Sequence, residues 1–277
     1  VTSALLLLAT ALVRVLWRRR PQPADTAPTP QGRPGLQASL RLVLGSPHLR
    51  AIAGLVLLSS FVTAVAGWQF KALAQQALLT KDALAAFFGA FDAGVGVLCV
   101  STQFLLTAGV LRRFGLGPIL FLLPAGLLAG SAGLLLFGTF LAAILLKGVD
   151  KVLRYSIDRP AVELLYLPVP AGLKLPAKSF IDTVAWRAGD GLAGLTVLAF
   201  ATLGGMGPVR LVLVVLPFIG LWLLLASRVH RLYVATLGEG LRQHRLDAER
   251  STAVVLLTLR RREKDQKILF YACHRFV

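Results

Sequence analysis

Apolar stretches of bilayer length recur along this chain, and that recurrence limits its fold more than any other feature. They occupy residues 1–16, 49–70, 83–110, 116–146, 179–203 and 208–227. A membrane core takes about 20 predominantly apolar residues per helix. The stretch at 116–146 is too long for one span and too short for two, unless a second helix starts near Gly138 and Thr139 and runs on into the charged segment behind it. Reading it as 116–137 followed by 139–166 resolves the conflict. The chain is then expected to be all-α and polytopic, with six complete transmembrane helices and part of a preceding one.

Charge supports that division. Among 277 residues, 30 Lys plus Arg face 13 Asp plus Glu, a net charge of +17, yet only 16% are charged and 56% are hydrophobic. A nucleic-acid binder would set its basic residues in a readable polar surface; here they flank apolar runs, and no nucleic-acid partner is expected. With Arg18, Arg19 and Arg20 on the cytoplasmic side, the six spans bring Arg112 and Arg113, Arg159 and Lys174, and the tail from Arg228 onward to that same side. Reading 116–166 as one span would put the most basic region outside. The remaining loops carry only Lys71, Lys81 and Arg210.

The expected organisation has four parts. Residues 1–17 read as the end of a severed transmembrane helix. Residues 18–48 read as an extended cytoplasmic linker, because proline at the density seen from Pro21 to Pro34 opposes helix and strand. Residues 49–227 form the six-helix unit, and residues 228–277 form a basic cytoplasmic tail with an amphipathic helix over 231–259. A six-helix unit behind a long inside loop is the layout of the second half of a two-halved transporter. Its partners would be the lipid bilayer and a missing N-terminal half. Two cysteines, Cys99 and Cys273, suggest neither a disulfide framework nor a metal site, no hydrolase triad is evident, and no cofactor is expected.

Function should lie where the spans carry charge, since an ionisable side chain at the bilayer centre costs about 2.5 to 3.5 kcal/mol. At about 100° per residue, Lys147, Asp150, Lys151, Arg154, Tyr155 and Asp158 share one face of the helix 139–166. Spacing of four allows Asp150 with Arg154, Arg154 with Asp158, and Arg159 with Glu163 to pair. Pro160 should end or kink this helix near Ile157. Lys147 and Lys151 are assigned to a central cavity, whereas Asp158, Arg159 and Glu163 are expected at the cytoplasmic interface, with snorkelling stems. In the next helix Lys178 and Asp182 stand four apart, and Asp182, Trp186 and Asp190 continue their row. Arg187 could bind a phosphate in bidentate fashion or neutralise Asp190 or Asp182. Gly189, Gly191 and Gly194 allow close helix approach. Asp92 stands alone in its span, as a proton relay, a counter-ion or a structural partner of something absent. Gln69, Gln75 and Gln76 read as interface residues, and His48 and His230 as solvated histidines at cytoplasmic ends.

Residues 151–168, with Lys174, Lys178, Asp182, Arg187, Gly189 and Asp190 behind them, resemble the ATP/ADP translocases, nucleotide transporters of plastids and intracellular bacteria. The resemblance is strongest over 147–194. It implies the C-terminal half of a major-facilitator-like fold in a bacterial inner membrane, a non-enzymatic transporter that moves an anionic, phosphate-bearing or nucleotide-like solute by alternating access. Lys147, Lys151, Arg154, Tyr155, Lys178 and Arg187 are the expected substrate-binding residues. Asp92, Asp150, Asp182 and Asp190 are the expected counter-ions or proton carriers. The competing expectation is a membrane anchor or sensor platform for a cytoplasmic helical-repeat region.

Overall fold

The computed structural model describes residues 36–107 and 116–236, with Thr10, Val13, Arg14, Gly109 and Gly238 besides. The rest of the expected helix end at 1–17, the proline-dense part of the linker, Arg112 and Arg113, and the tail beyond Gly238 lie outside this set. Every regular element among the described residues is helical. Helix α1 (Leu36–Gly45) falls inside the segment expected to be extended, which corrects the linker boundary. No proline stands between Pro34 and Pro47, so nothing in the backbone opposes a helix there.

Helix α2 (Pro47–Ala77) is the axis of the fold. Ser46 caps it by accepting from the Leu49 N–H at 3.4 Å, and Pro47 occupies the first turn, where no N–H is needed. Buried residues lie all round this helix, from His48 to Ala74, so its neighbours surround it rather than cover one face. His48 does not meet solvent as expected: its Nε2 lies 2.8 Å from the Leu165 carbonyl. Gln69 is likewise buried and donates to the Pro208 carbonyl at 2.9 Å. His230 is half-buried, its ring seated where Gly117 lacks a side chain.

Helix α3 (Lys81–Thr102) begins at the Thr80 cap and runs into a π turn at Gln103–Thr107. Helices α4 (Leu116–Phe137) and α5 (Phe140–Leu153) form a tight hairpin. The division expected near Gly138 and Thr139 is present. Gly138 has φ +60°, a conformation that excludes most side chains, and Thr139 caps α5 through the Ala142 N–H. Gly126 and Gly130 let Leu153, Val149 and Leu146 of α5 approach the α4 backbone.

The two most charged runs are helical throughout but contain local unwinding. Helix α5 passes through a π turn at Arg154–Asp158 into α6 (Arg159–Leu165). Pro160 therefore does not end the helix; it sits in the first turn of α6, and the Arg159 N–H bonds five residues back to the Arg154 carbonyl. Helix α7 (Ala171–Phe180) leads through a π turn at Ile181–Ala185 into α8 (Trp186–Thr196), then a second π turn at Val197–Leu203. That last turn is closed by Gly205 at φ +63° and by the Met206 N–H on the Phe200 carbonyl. Helix α9 covers Val212–Thr236, past the expected limit at 227.

Four helical segments are long and apolar enough to cross a membrane: Pro47–Ala77, Lys81–Leu105, Gly117–Phe137 and Val212–Thr236. The runs at 140–165 and 171–203 fall outside that class because their charge and internal breaks dilute them.

Helix α8 lies along α2, and Gly189 is where they meet. A Cβ there would strike the Leu57 carbonyl and come within 2.8 Å of Ser60 Cβ, whereas Gly191 and Gly194 face open space and serve no such approach. Gly189→Ala should destabilise the fold by about 1–3 kcal/mol through overpacking, and Gly191→Ala should not. Thermal unfolding of the two variants in detergent checks this.

Candidate functional site

The polar centre of the bundle is built around Asp150 of α5, which is 0% exposed. Its Oδ1 accepts from Arg154 Nη2 at 2.9 Å, Arg154 Nε at 3.2 Å and Thr63 Oγ1 at 3.0 Å; Oδ2 accepts from Lys147 Nζ at 2.7 Å. Lys147 reaches the Thr63 carbonyl at 3.4 Å, and Arg154 Nη1 reaches Ser59 Oγ at 3.0 Å. One buried carboxylate thus holds two cations, and all three residues are tied to α2. A buried charge is tolerated when it is paired and hydrogen-bonded, and this cluster meets that condition with neighbours alone. Lys147 is accordingly part of a clasp between helices, its ammonium held by Asp150 and the Thr63 carbonyl.

Two peripheral pairs complete the wiring. Lys151 Nζ lies 2.5 Å from Asp92 Oδ1 and 5.5 Å from the centroid of the Phe91 ring, so Asp92 has a partner on α5 rather than standing alone. Ser156 of the π turn at Arg154–Asp158 donates to the Cys99 carbonyl and gives α3 a second attachment to the same helical run. Lys178 lies 2.5 Å from Glu163. Glu163 thus meets Lys178 rather than the expected Arg159, which sits over the Tyr155 ring at 5.2 Å.

A cavity of about 340 Å³ opens between three elements. Leu55, Val56 and Ser59 of α2 form one wall, residues 154–163 contribute Arg154, Asp158, Arg159, Val162 and Glu163, and the α7–α8 run contributes Asp182, Trp186 and Arg187. The volume lies in the range of small-molecule sites. The Arg154 guanidinium lies 5.6 Å from the Trp186 ring, so an aromatic plane and a cation share the floor. Arg187 is 80% exposed along its side chain, and its Nη1 comes only to 4.0 Å from Asp190 Oδ2. Asp190 is held elsewhere: Ser60 Oγ lies 2.5 Å from its Oδ1 and 2.9 Å from the Trp186 carbonyl.

Of the residues expected to form the site, Arg154, Asp182 and Arg187 line this cavity. Lys147, Lys151, Tyr155, Lys178, Asp92, Asp150 and Asp190 do not. Asp158, Arg159 and Glu163, expected at the interface, also line it, and Asp158 is only 6% exposed. Ser59, Ser60 and Thr63 carry much of the hydrogen bonding yet drew no notice in the sequence. The available signal was a hydroxyl pair at spacing four, Ser59 and Thr63, inside an otherwise apolar run. Among the described residues no group of His, Cys, Asp and Glu is placed to hold a metal.

Comparison with known proteins gives a distant and partial likeness. No family model matches the sequence, and no solved structure does. The ADP,ATP carrier protein 1 of Chlamydia pneumoniae is 26% identical over 174 residues, covering 54% of this chain and 33% of that protein. The chain thus matches about a third of the length of its curated relative. This partial likeness to a carrier accompanies four helices of membrane-crossing length and composition, as in an integral membrane protein.

Proposed function

We propose that this chain is half of a secondary transporter for an anionic, nucleotide-like solute, and that the cavity beside Trp186 is its share of the binding site. The carrying observation is the arrangement of Arg154, Arg159 and Arg187 around one opening, with Trp186 at its floor. Guanidinium groups match phosphate geometry in two-point contacts. Arg187 is the most available of the three, because Asp190 only grazes it and Arg154 is committed to Asp150. Trp186 offers a flat apolar surface to a base or another ring. The distant carrier likeness supports the same reading.

In this reading the runs at 140–165 and 171–203 also cross the membrane, giving six spans from 49 to 227 that correspond to the C-terminal half of a major-facilitator-like fold. Helices interrupted near a midplane site are a recurrent transporter device, and here the interruptions at Arg154–Asp158 and Ile181–Ala185 both line the cavity. Another half would supply the opposing wall, and rocking of the two would expose the site alternately to each side. The proline-rich linker and the basic tail would then face the cytoplasm of a bacterial cell.

Two kinds of variant separate binding from architecture. In proteoliposomes holding the full-length protein, Arg187→Ala should lower uptake of labelled ADP about tenfold or more while leaving the melting temperature unchanged, as expected for loss of a charged hydrogen bond to phosphate. Unaltered uptake in that variant would remove Arg187 from the site. Asp150→Ala should instead lower stability by about 3–5 kcal/mol, because Lys147 and Arg154 would remain buried without their counter-ion; the measure is thermal unfolding with no solute present.

A further inference from the structure

The cavity contains one group that neither the clasp nor the proposed anion site uses. Asp158 closes the π turn at Arg154–Asp158, lines the cavity and is 6% exposed, and no hydrogen bond or ion pair to it occurs among the described residues. The contrast with Asp150, two turns earlier and fully enclosed, is sharp: that carboxylate is matched by two cations and a hydroxyl. An ionised carboxylate without donors is far more costly to bury than its protonated form.

The charged neighbours of Asp158 are already engaged or balanced. On its own helical run Arg154 is bonded to Asp150 and Ser59, Lys147 is bonded to Asp150, and Lys151 is paired with Asp92 of α3. Arg159 of α6 lies over Tyr155, and Glu163 of α6 is held by Lys178 of α7. The α7–α8 run adds Asp182 and Arg187 to the lining, α2 offers the neutral Ser59, and α4 has no charged residue between Leu116 and Phe137. The lining as a whole sets Arg154, Arg159 and Arg187 against Asp158, Glu163 and Asp182, so it carries no net charge when all are ionised.

We infer that Asp158 is the proton-binding residue of this cavity, and that its protonation is what gives the site the positive charge an anion needs. The inference rests on the transporter reading for its consequence and on the geometry of Asp158 for its site. Proton and anion binding then favour each other by reciprocal linkage: neutralising Asp158 leaves three guanidinium groups against two carboxylates, and an arriving anion stabilises that state. The solute would travel with a proton, released when Asp158 ionises.

Two measurements on the full-length protein test this separately. Infrared difference spectroscopy of the purified protein, without solute, should show the C=O stretch of a protonated carboxyl that disappears in Asp158→Asn and persists in Asp182→Asn. A band that survives in a folded Asp158→Asn protein, or is absent from the parent, overturns the assignment whatever the protein transports. ADP binding should strengthen as pH falls, by up to about tenfold per pH unit for one linked proton, and Asp158→Asn should bind with only the pH dependence of ADP itself. An unchanged pH profile in that variant also overturns the inference. Should Asp158→Asn not fold, Asp158→Glu answers instead: it should retain the band at a shifted frequency, and an unshifted band overturns the assignment. Failure of the parent to bind or take up ADP, with the Asp158 band present, would count against the nucleotide-transporter reading alone.

Discussion

The bundle depends on one buried carboxylate. Asp150 satisfies both of its oxygens with Lys147, Arg154 and Thr63, and through Arg154 and Lys147 it reaches Ser59 and the Thr63 backbone on α2. Without that partner, neither cation could sit in an apolar interior. With it, α5 is fixed to α2 in rotation and in depth, because hydrogen bonds have narrow distance and angle requirements that apolar packing lacks. The position of the cavity follows, since Arg154 belongs to the clasp and to the cavity wall at once.

The π turns decide what the clasp leaves free. An extra residue in a helical turn rotates every later side chain by about 100° around the axis, and π turns concentrate at functional sites for that reason. The turn at Arg154–Asp158 absorbs the missing donor of Pro160 and places Asp158 in the cavity wall, buried and without a donor. The turn at Ile181–Ala185 holds Asp182 in the cavity wall, while Lys178 pairs with Glu163 of α6. Both devices act on residues whose charge had already made them conspicuous; they change which neighbour each one meets.

Close approach is allocated just as selectively. Gly189 is the contact between α8 and α2, and Gly126 and Gly130 let α5 lie on α4, while Gly191 and Gly194 face open space. The α8 contact also brings Asp190 to Ser60, which leaves Arg187 exposed beside the cavity. A small residue on one helix therefore controls how available a cation is on the next turn. Helix α3 shows the opposite case: its buried contacts are few, and Asp92, Ser156 and Cys99 tie it to the α5 run through polar links.

The sequence by itself determined the helical class, the apolar spans, the break at Gly138 and Thr139, and the concentration of charge in two helices. These follow from hydrophobic length, from the φ that glycine allows and from the cost of placing ions in an apolar medium, all of them local or compositional. It also located Arg154, Asp182 and Arg187 among the candidates for the cavity. Spacing also gave the Asp150–Arg154 pair, but tertiary structure decided how the other charges were matched. Lys147, Asp150 and Lys151 are internal or paired, His48 and Gln69 are buried against distant carbonyls, and Asp158 is buried in the cavity wall. A periodic reading assumes a uniform 100° step and treats every ion as if its partners lay on the same helix. The π turns break the first assumption, and hydroxyls on α2 with carbonyls many residues away break the second.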